Sequence, residues 1–286
     1  MKRGTTLIKT NKMTKIWLSG LAFVMVGLSA STTFALDLLG PPVSNLLQGQ
    51  YREGVEYSLS KMDMELIDGK WVEYLNGRVS GSGKAVPLSL NDFETQKLYA
   101  SLGYGFFDNF EAFVRLGATK AEFGDSIWND GESFDGSTDF AVGGGIKATI
   151  FERDYFKIGA VFQVNWAKFD GKLQAANWTA PDSVEINLAE MQIAVGIVRE
   201  WTERLSVYAG PFAHFISGDF EDTFSVIDLD KSDLKYSEFK WEIDDGPIFG
   251  GYIGARVELT EDLHFNVEYQ LSADAQAFGA NLMFRY

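Results

Sequence analysis

Strict alternation of apolar and polar side chains, repeated segment after segment, is the feature that most constrains how this chain can fold. In residues 155–168, Phe156, Ile158, Ala160, Phe162, Val164 and Trp166 share one face, and Lys157, Gly159, Gln163 and Asn165 share the other. In 263–272, Leu263, Phe265, Val267, Tyr269 and Leu271 alternate with His264, Asn266, Glu268, Gln270 and Ser272. A period of two is that of a β-strand, whose successive side chains point to opposite faces. The same period marks 97–107, 110–119, 140–151, 205–215, 248–259 and 276–286, and less regularly 50–66. Segment 183–199 changes parity between Leu188 and Met191, which predicts a bulge there. No helical spacing is sustained.

The connections alternate too. Asp108-Asn109, Glu152 to Asp154, Glu200 to Glu203 and Thr260 to Asp262 are short, whereas 67–93, 125–138, 171–182 and 219–246 are long. About ten strands joined by short and long connections on alternate sides predict an all-β fold, a transmembrane up-and-down antiparallel β-barrel. A soluble sandwich would also alternate, but it needs neither the short/long asymmetry nor aromatic residues at both strand ends. Here Phe106, Phe107, Phe151, Tyr155, Phe156 and Trp201 flank the short turns. Phe123, Trp128, Trp166, Phe169, Phe215, Phe220 and Trp241 lie near the long ones. Two such belts are what two membrane–water interfaces select.

Composition removes several functions. There are 25 basic and 40 acidic residues, a net charge of −15 that argues against nucleic acid as a partner. With no Cys, disulfides, thiolate chemistry and Cys-based metal sites are excluded, and two His are too few for a three-His zinc site. Gly143-Gly144-Gly145 followed by Ala148 mimics a dinucleotide-binding fingerprint, but the alternation runs straight through it, so the glycines are read as making room in a narrow lumen.

Residues 1–35 carry Lys2, Arg3, Lys9, Lys12 and Lys15, an apolar stretch from Ile16 to Leu28, and the ending Thr33-Phe34-Ala35. This pattern predicts a signal peptide cleaved after Ala35, and the apolar stretch is shorter than the roughly 20 residues a spanning helix needs. Its removal leaves the remainder at −20. Three divisions are therefore expected: a signal peptide over 1–35, a periplasmic or lumenal segment over 36–49 containing Pro41-Pro42, and a barrel over 50–286.

The last strand, Phe278 to Tyr286, alternates and ends on an aromatic residue. In this it resembles the outer-membrane β-barrel proteins of Gram-negative bacteria, with Phe284 and Tyr286 as the C-terminal insertion signal. The resemblance covers the architecture of the whole exported chain and no family motif. It implies residence in the cell outer membrane, contact with its lipid, and delivery by the barrel-assembly machinery.

Inward parity collects Arg52, Glu56, Lys97, Glu111, Arg115, Lys147, Lys157, Gln163, Asn165, Arg256, Glu258, His264, Glu268 and Arg285. Mixed charge in a narrow interior predicts a network of ion pairs filling a polar lumen; a narrow aqueous, porin-like pore is the alternative. His214 also falls on inward parity, near Asp219, Glu221 and Asp222. The omptin-type outer-membrane proteases resemble the chain in strand number and use an Asp/His pair at the outer rim, so an outer-rim hydrolase using His214 is a third reading. The stretch 219–246 holds ten acids (Asp219, Glu221, Asp222, Asp228, Asp230, Asp233, Glu238, Glu242, Asp244 and Asp245) against Lys231, Lys235 and Lys240. It is read as an acidic solvated loop or hairpin, with a divalent cation as the weaker alternative. The sequence thus predicts a non-enzymatic structural or surface-interaction barrel, with no catalytic, cofactor or metal residues assigned.

Overall fold

The computed structural model describes residues 36–124, 132–175, 182–228 and 233–286. The expected signal peptide and the residues Trp128, Asp230 and Lys231 lie outside these. Twelve strands form one antiparallel sheet. They are β1 (Tyr51–Leu75), β2 (Arg78–Lys84), β3 (Leu88–Phe107), β4 (Phe110–Gly124), β5 (Glu132–Gly136), β6 (Asp139–Arg153), β7 (Phe156–Ala175), β8 (Asp182–Thr202), β9 (Leu205–Asp228), β10 (Asp233–Glu258), β11 (Leu263–Ser272) and β12 (Ala275–Arg285). Ten of them, all but β2 and β5, make a ring. It closes where β12 pairs with β1, from Arg52 opposite Arg285 to Met62 opposite Ala275. Tyr51 and Tyr286 finish the seam by exchanging backbone hydrogen bonds of 2.9 and 3.0 Å.

Lipid accounts for the lower half. Val55, Leu98, Val114, Ile146, Val164, Val195, Ile253 and Leu282 are exposed on the outer wall, where a membrane replaces water. An aromatic belt rings the short-turn end and crosses the seam: Tyr104 lies 4.7 Å and Tyr286 6.2 Å from Tyr51, ring to ring.

Most of the long connections expected from the sequence are strand. β9 and β10 run for 24 and 26 residues. A membrane crossing takes about ten, so more than half of β10 stands clear of the bilayer. The described parts of the acidic stretch 219–246 are accordingly paired strands, with Asp228 opposite Asp233. The ring narrows on the way out. Above the β11–β12 turn, β1 and β10 pair directly, from Leu66 opposite Ile243 to Leu75 opposite Lys235, leaving eight strands. An eight-stranded ring is just wide enough for its own side chains to fill.

They fill it with apolar groups. Met62, Leu66, Phe93, Phe123, Phe134, Phe169, Ile186, Phe220, Trp241 and Ile243 are all buried inside. This corrects the expected outer aromatic belt: Phe123, Phe169, Phe220 and Trp241 point into the barrel, while Trp166 and Phe215 remain on the outer wall. It also removes the bulge expected near Leu188. β7 and β8 stay in register from Phe156 opposite Arg199 to Leu173 opposite Asp182, without a shift. Side-chain direction is constant along β8, and only the chemistry changes sides. Val184, Ile186 and Leu188 face the interior above the membrane, whereas Met191, Ile193, Val195 and Ile197 face lipid within it. The upper barrel has the polarity of a soluble protein and the lower barrel its inverse.

Four variants test this arrangement. Ile186→Ala should destabilise by about 2–5 kcal/mol through the cavity it opens, while Glu185→Ala next to it should stay within about 0.5 kcal/mol. Val164→Arg, on the lipid face, should cost about 2–4 kcal/mol, all three read by denaturant unfolding in vesicles. Deleting Phe284 to Tyr286 should abolish the heat-modifiable, membrane-inserted form, because an open edge in lipid leaves backbone groups unpaired.

Candidate functional site: the occupied lumen

Within the membrane the ring of ten encloses more space than its inward side chains fill, and residues 36–46 occupy it. Leu36, Asp37, Leu38, Leu39, Val43 and Leu46 are at most 5% exposed. A chain segment threaded through a lumen brings its own unpaired backbone groups, and these need partners. The lumenal side chains supply them at three levels.

At the short-turn end, Glu111 accepts a 2.8 Å hydrogen bond from the Asn45 amide and pairs with Arg52 at 3.1 Å. Thr149 accepts from the Ser44 amide at 3.1 Å, and Arg256 donates to the Asn45 side chain. At mid-height, Lys147 donates to the Leu39 carbonyl at 2.6 Å and to that of Pro41 at 3.0 Å. Glu268 accepts from the Leu39 amide at 2.9 Å. Arg115 donates to the Leu38 carbonyl at 3.4 Å, to Asn165 at 2.9 Å and to Glu56 at 3.2 Å. At the top, Lys97 bridges Asp37 at 3.2 Å and Glu190 at 2.5 Å. Gln163 and Gln270 donate to the Asp37 carbonyl at 3.3 and 2.8 Å. The lumenal charges therefore do not simply neutralise one another, as their mixed signs suggested. Several bind backbone, and among the described residues Lys147 reaches carbonyls and no carboxylate.

Small residues make the space. A Cβ on Gly159 would lie 2.4 Å from the Pro42 carbonyl oxygen, and one on Gly105 would lie 2.2 Å from that of Leu47. A Cβ on Gly143 would lie 2.0 Å from Asn165 Oδ1, so this glycine makes room for the Arg115–Asn165 contact. Gly40 turns the segment with φ of +65°, a conformation open to glycine.

The predicted lumenal residues fall into two groups. Arg52, Glu56, Glu111, Arg115, Lys147, His264 and Glu268 are buried inside the ring; Lys157, Arg256, Glu258 and Arg285 are half-buried at its short-turn rim. Lys157 pairs with Glu152 at 2.9 Å and Glu200 at 3.3 Å. Asp37, Glu190, Gln192 and Gln270 were not singled out. Glu190 and Gln192 keep the inward parity of β8, and reading that parity through Leu188 finds them. Phe113 is an aromatic on the polar, inward face of β4. It lies beneath Arg52, Arg115 and Lys147, at 5.5, 5.8 and 5.8 Å from its ring centre.

His214 is no rim residue. It is fully buried below the apolar core, with Nε2 3.3 Å from Glu190 Oε2. Of the acids expected beside it, Asp219 and Glu221 are on the outer wall, clamping Lys240 at 3.2 and 2.7 Å. Among the described residues no group of three or more His, Asp or Glu is placed to hold a metal ion.

Solved structures with likeness to the chain include the translocator domain of the autotransporter NalP from Neisseria meningitidis, at 12% identity and a TM-score of 0.41 over 96% of this chain and 95% of that one. The outer membrane protein OprG from Pseudomonas aeruginosa scores 0.40 at 9% identity, over 87% of this chain and 99% of that one. The outer membrane protease OmpT from Escherichia coli scores 0.41 at 9% identity, over 85% and 99%. No protein-family model matches the chain, and no curated protein sequence does. Closure of the ring, the lipid-facing apolar wall and the aromatic belt decide the class. The chain is an outer-membrane β-barrel.

Gly159→Val should push the Pro42 carbonyl off the wall. Hydrogen exchange should then show the Leu39 and Asn45 amides losing protection while strand amides of β7 keep theirs. Retained protection at Leu39 would contradict the assigned packing.

Proposed function

We propose that the chain is a sealed barrel whose role is structural: a membrane-embedded base that holds a rigid acidic wall outside the cell. The observation that supports this is the double filling of the lumen, by residues 36–46 in the lower half and by apolar side chains in the upper half. Trp241, fully buried, closes the top by donating to the Val86 carbonyl at 3.0 Å.

The outer wall of the upper barrel repeats one motif, a lysine between two acids. Lys61 sits between Asp92 and Glu94, Lys120 between Glu122 and Asp135, Lys168 between Asp170 and Glu185, and Lys240 between Asp219 and Glu221. Hydrogen bonds donated to the flanking carboxylates hold the pKa values of Lys120, Lys168 and Lys240 above the usual lysine range. Each triad carries a net negative charge, so the wall repels polyanions and attracts basic partners.

Planar-bilayer recording discriminates this reading from the porin-like one. The intact protein should show no steady conductance. Deleting residues 36–46 should not open a steady pore either, because the apolar upper core stays in the path. A large, stable current from the intact protein would make the porin-like channel the better reading. We also infer that export removes residues 1–35: intact-mass spectrometry of membrane-purified protein should give Leu36 as the first residue, and a retained Ile16–Leu28 stretch would refute it.

A further inference from the structure

The short-turn mouth of the barrel holds a cavity of about 380 Å³. Its two walls differ in charge. On one side Lys157 is already held by Glu152 and Glu200. On the other, Arg256 of β10, His264 of β11 and Arg285 of β12 line the cavity on three successive strands. Strand register places them together. Glu258 stands opposite His264, which puts Arg256 on the diagonal, and Met283 opposite His264 does the same for Arg285.

These cations lack anionic partners. Among the described residues neither Arg256 nor Arg285 belongs to an ion pair. Arg285 donates to the Glu261 carbonyl at 2.8 Å, and Arg256 to the Asn45 side chain. Arg256 Nε is buried without a hydrogen-bond partner, and so are both ring nitrogens of His264, a residue only 3% exposed. Buried polar groups of this kind ordinarily have partners, and donors facing a cavity are satisfied by what enters it. Guanidinium forks match the paired oxygens of an oxyanion. Glu258, Glu203 and Asp108 also line the cavity, but among the described residues none of them forms an ion pair with Arg256 or Arg285, and the His264 imidazole supplies an N–H.

We propose that this mouth binds a small phosphate-type oxyanion between Arg256, His264 and Arg285, entering from the short-turn side. The site faces the lumen, so a membrane lipid cannot reach it; free phosphate and the phosphate end of a small soluble ester are the two sources of such an anion. The occupant also touches Asn45's partner, Arg256, and so couples the mouth to the segment that fills the barrel.

Isothermal titration of the full-length protein in detergent with inorganic phosphate tests the assignment. One saturable site is expected. Arg256→Gln and Arg285→Gln should each weaken it about tenfold or more, the loss of one charge-assisted interaction. Glu258→Gln should tighten it severalfold, since it removes an opposing charge on the same wall as the two arginines. Competition by glycerol phosphate at equal or greater strength would identify an organic ester as the source, and weaker competition free phosphate. No saturable heat, or an Arg285→Gln variant that is folded and binds as the parent does, would overturn the proposal. So would tightening absent in a folded Glu258→Gln variant.

Discussion

Hydrocarbon offers no hydrogen bonds, so a sheet that crosses it has to close on itself, and everything else in this structure follows from how many strands the closure uses. Ten strands make a ring wider than its own side chains fill. The remedy is an added length of chain, residues 36–46, and that chain brings carbonyls and amides into an interior buried from bulk solvent. Lys147, Glu111, Glu268, Arg115 and Gln270 are inside because those backbone groups are. Burying ions is expensive unless each is well bonded, and each here has a partner fixed by the segment or by the wall. Where the hairpin of β11 and β12 ends and the ring drops to eight, no added chain is needed, and the interior turns apolar.

This geometry separates what the sequence discloses from what it conceals. Period two is a local property, so the strands, their antiparallel order and the closing C-terminal strand are readable one segment at a time. The polarity of a face depends on what surrounds it at each height. In β8 the apolar residues pass from even to odd positions with no change in backbone direction, and a reader who equates apolar with lipid-facing sees a bulge. Glu190 and Gln192 disappear into that misreading. The same assumption sends Phe123, Phe169, Phe220 and Trp241 to the membrane interface when they fill the upper core.

Residues 36–46 show the opposite difficulty. With Pro41-Pro42 and no period of their own, they look like a leader to the first strand, and nothing in their composition says what they touch. Their imprint is distributed in the wall, in Gly105, Gly159 and the inward cations, and becomes visible only when the ring is assembled. His214 illustrates the same dependence. The acids that follow it in the chain are Asp219, Glu221 and Asp222, yet the acid beside it in space is Glu190 on the adjacent strand.

The segment that fills the lumen is also the earliest described part of the chain, and its partners are spread round the whole circumference. Leu39 meets Glu268 across 229 residues, and Asp37 meets Gln270 across 233. Contacts of such separation form late, since the loops they close are the longest available. Residues 36–46 cannot settle until the final hairpin is in place, so a part of the chain made before every strand is the last to dock. Its seating registers that the circle is complete: a barrel missing its last two strands has no Glu268 or Gln270 to receive it, and would keep a loose, protease-accessible amino-terminal tail as the mark of unfinished assembly.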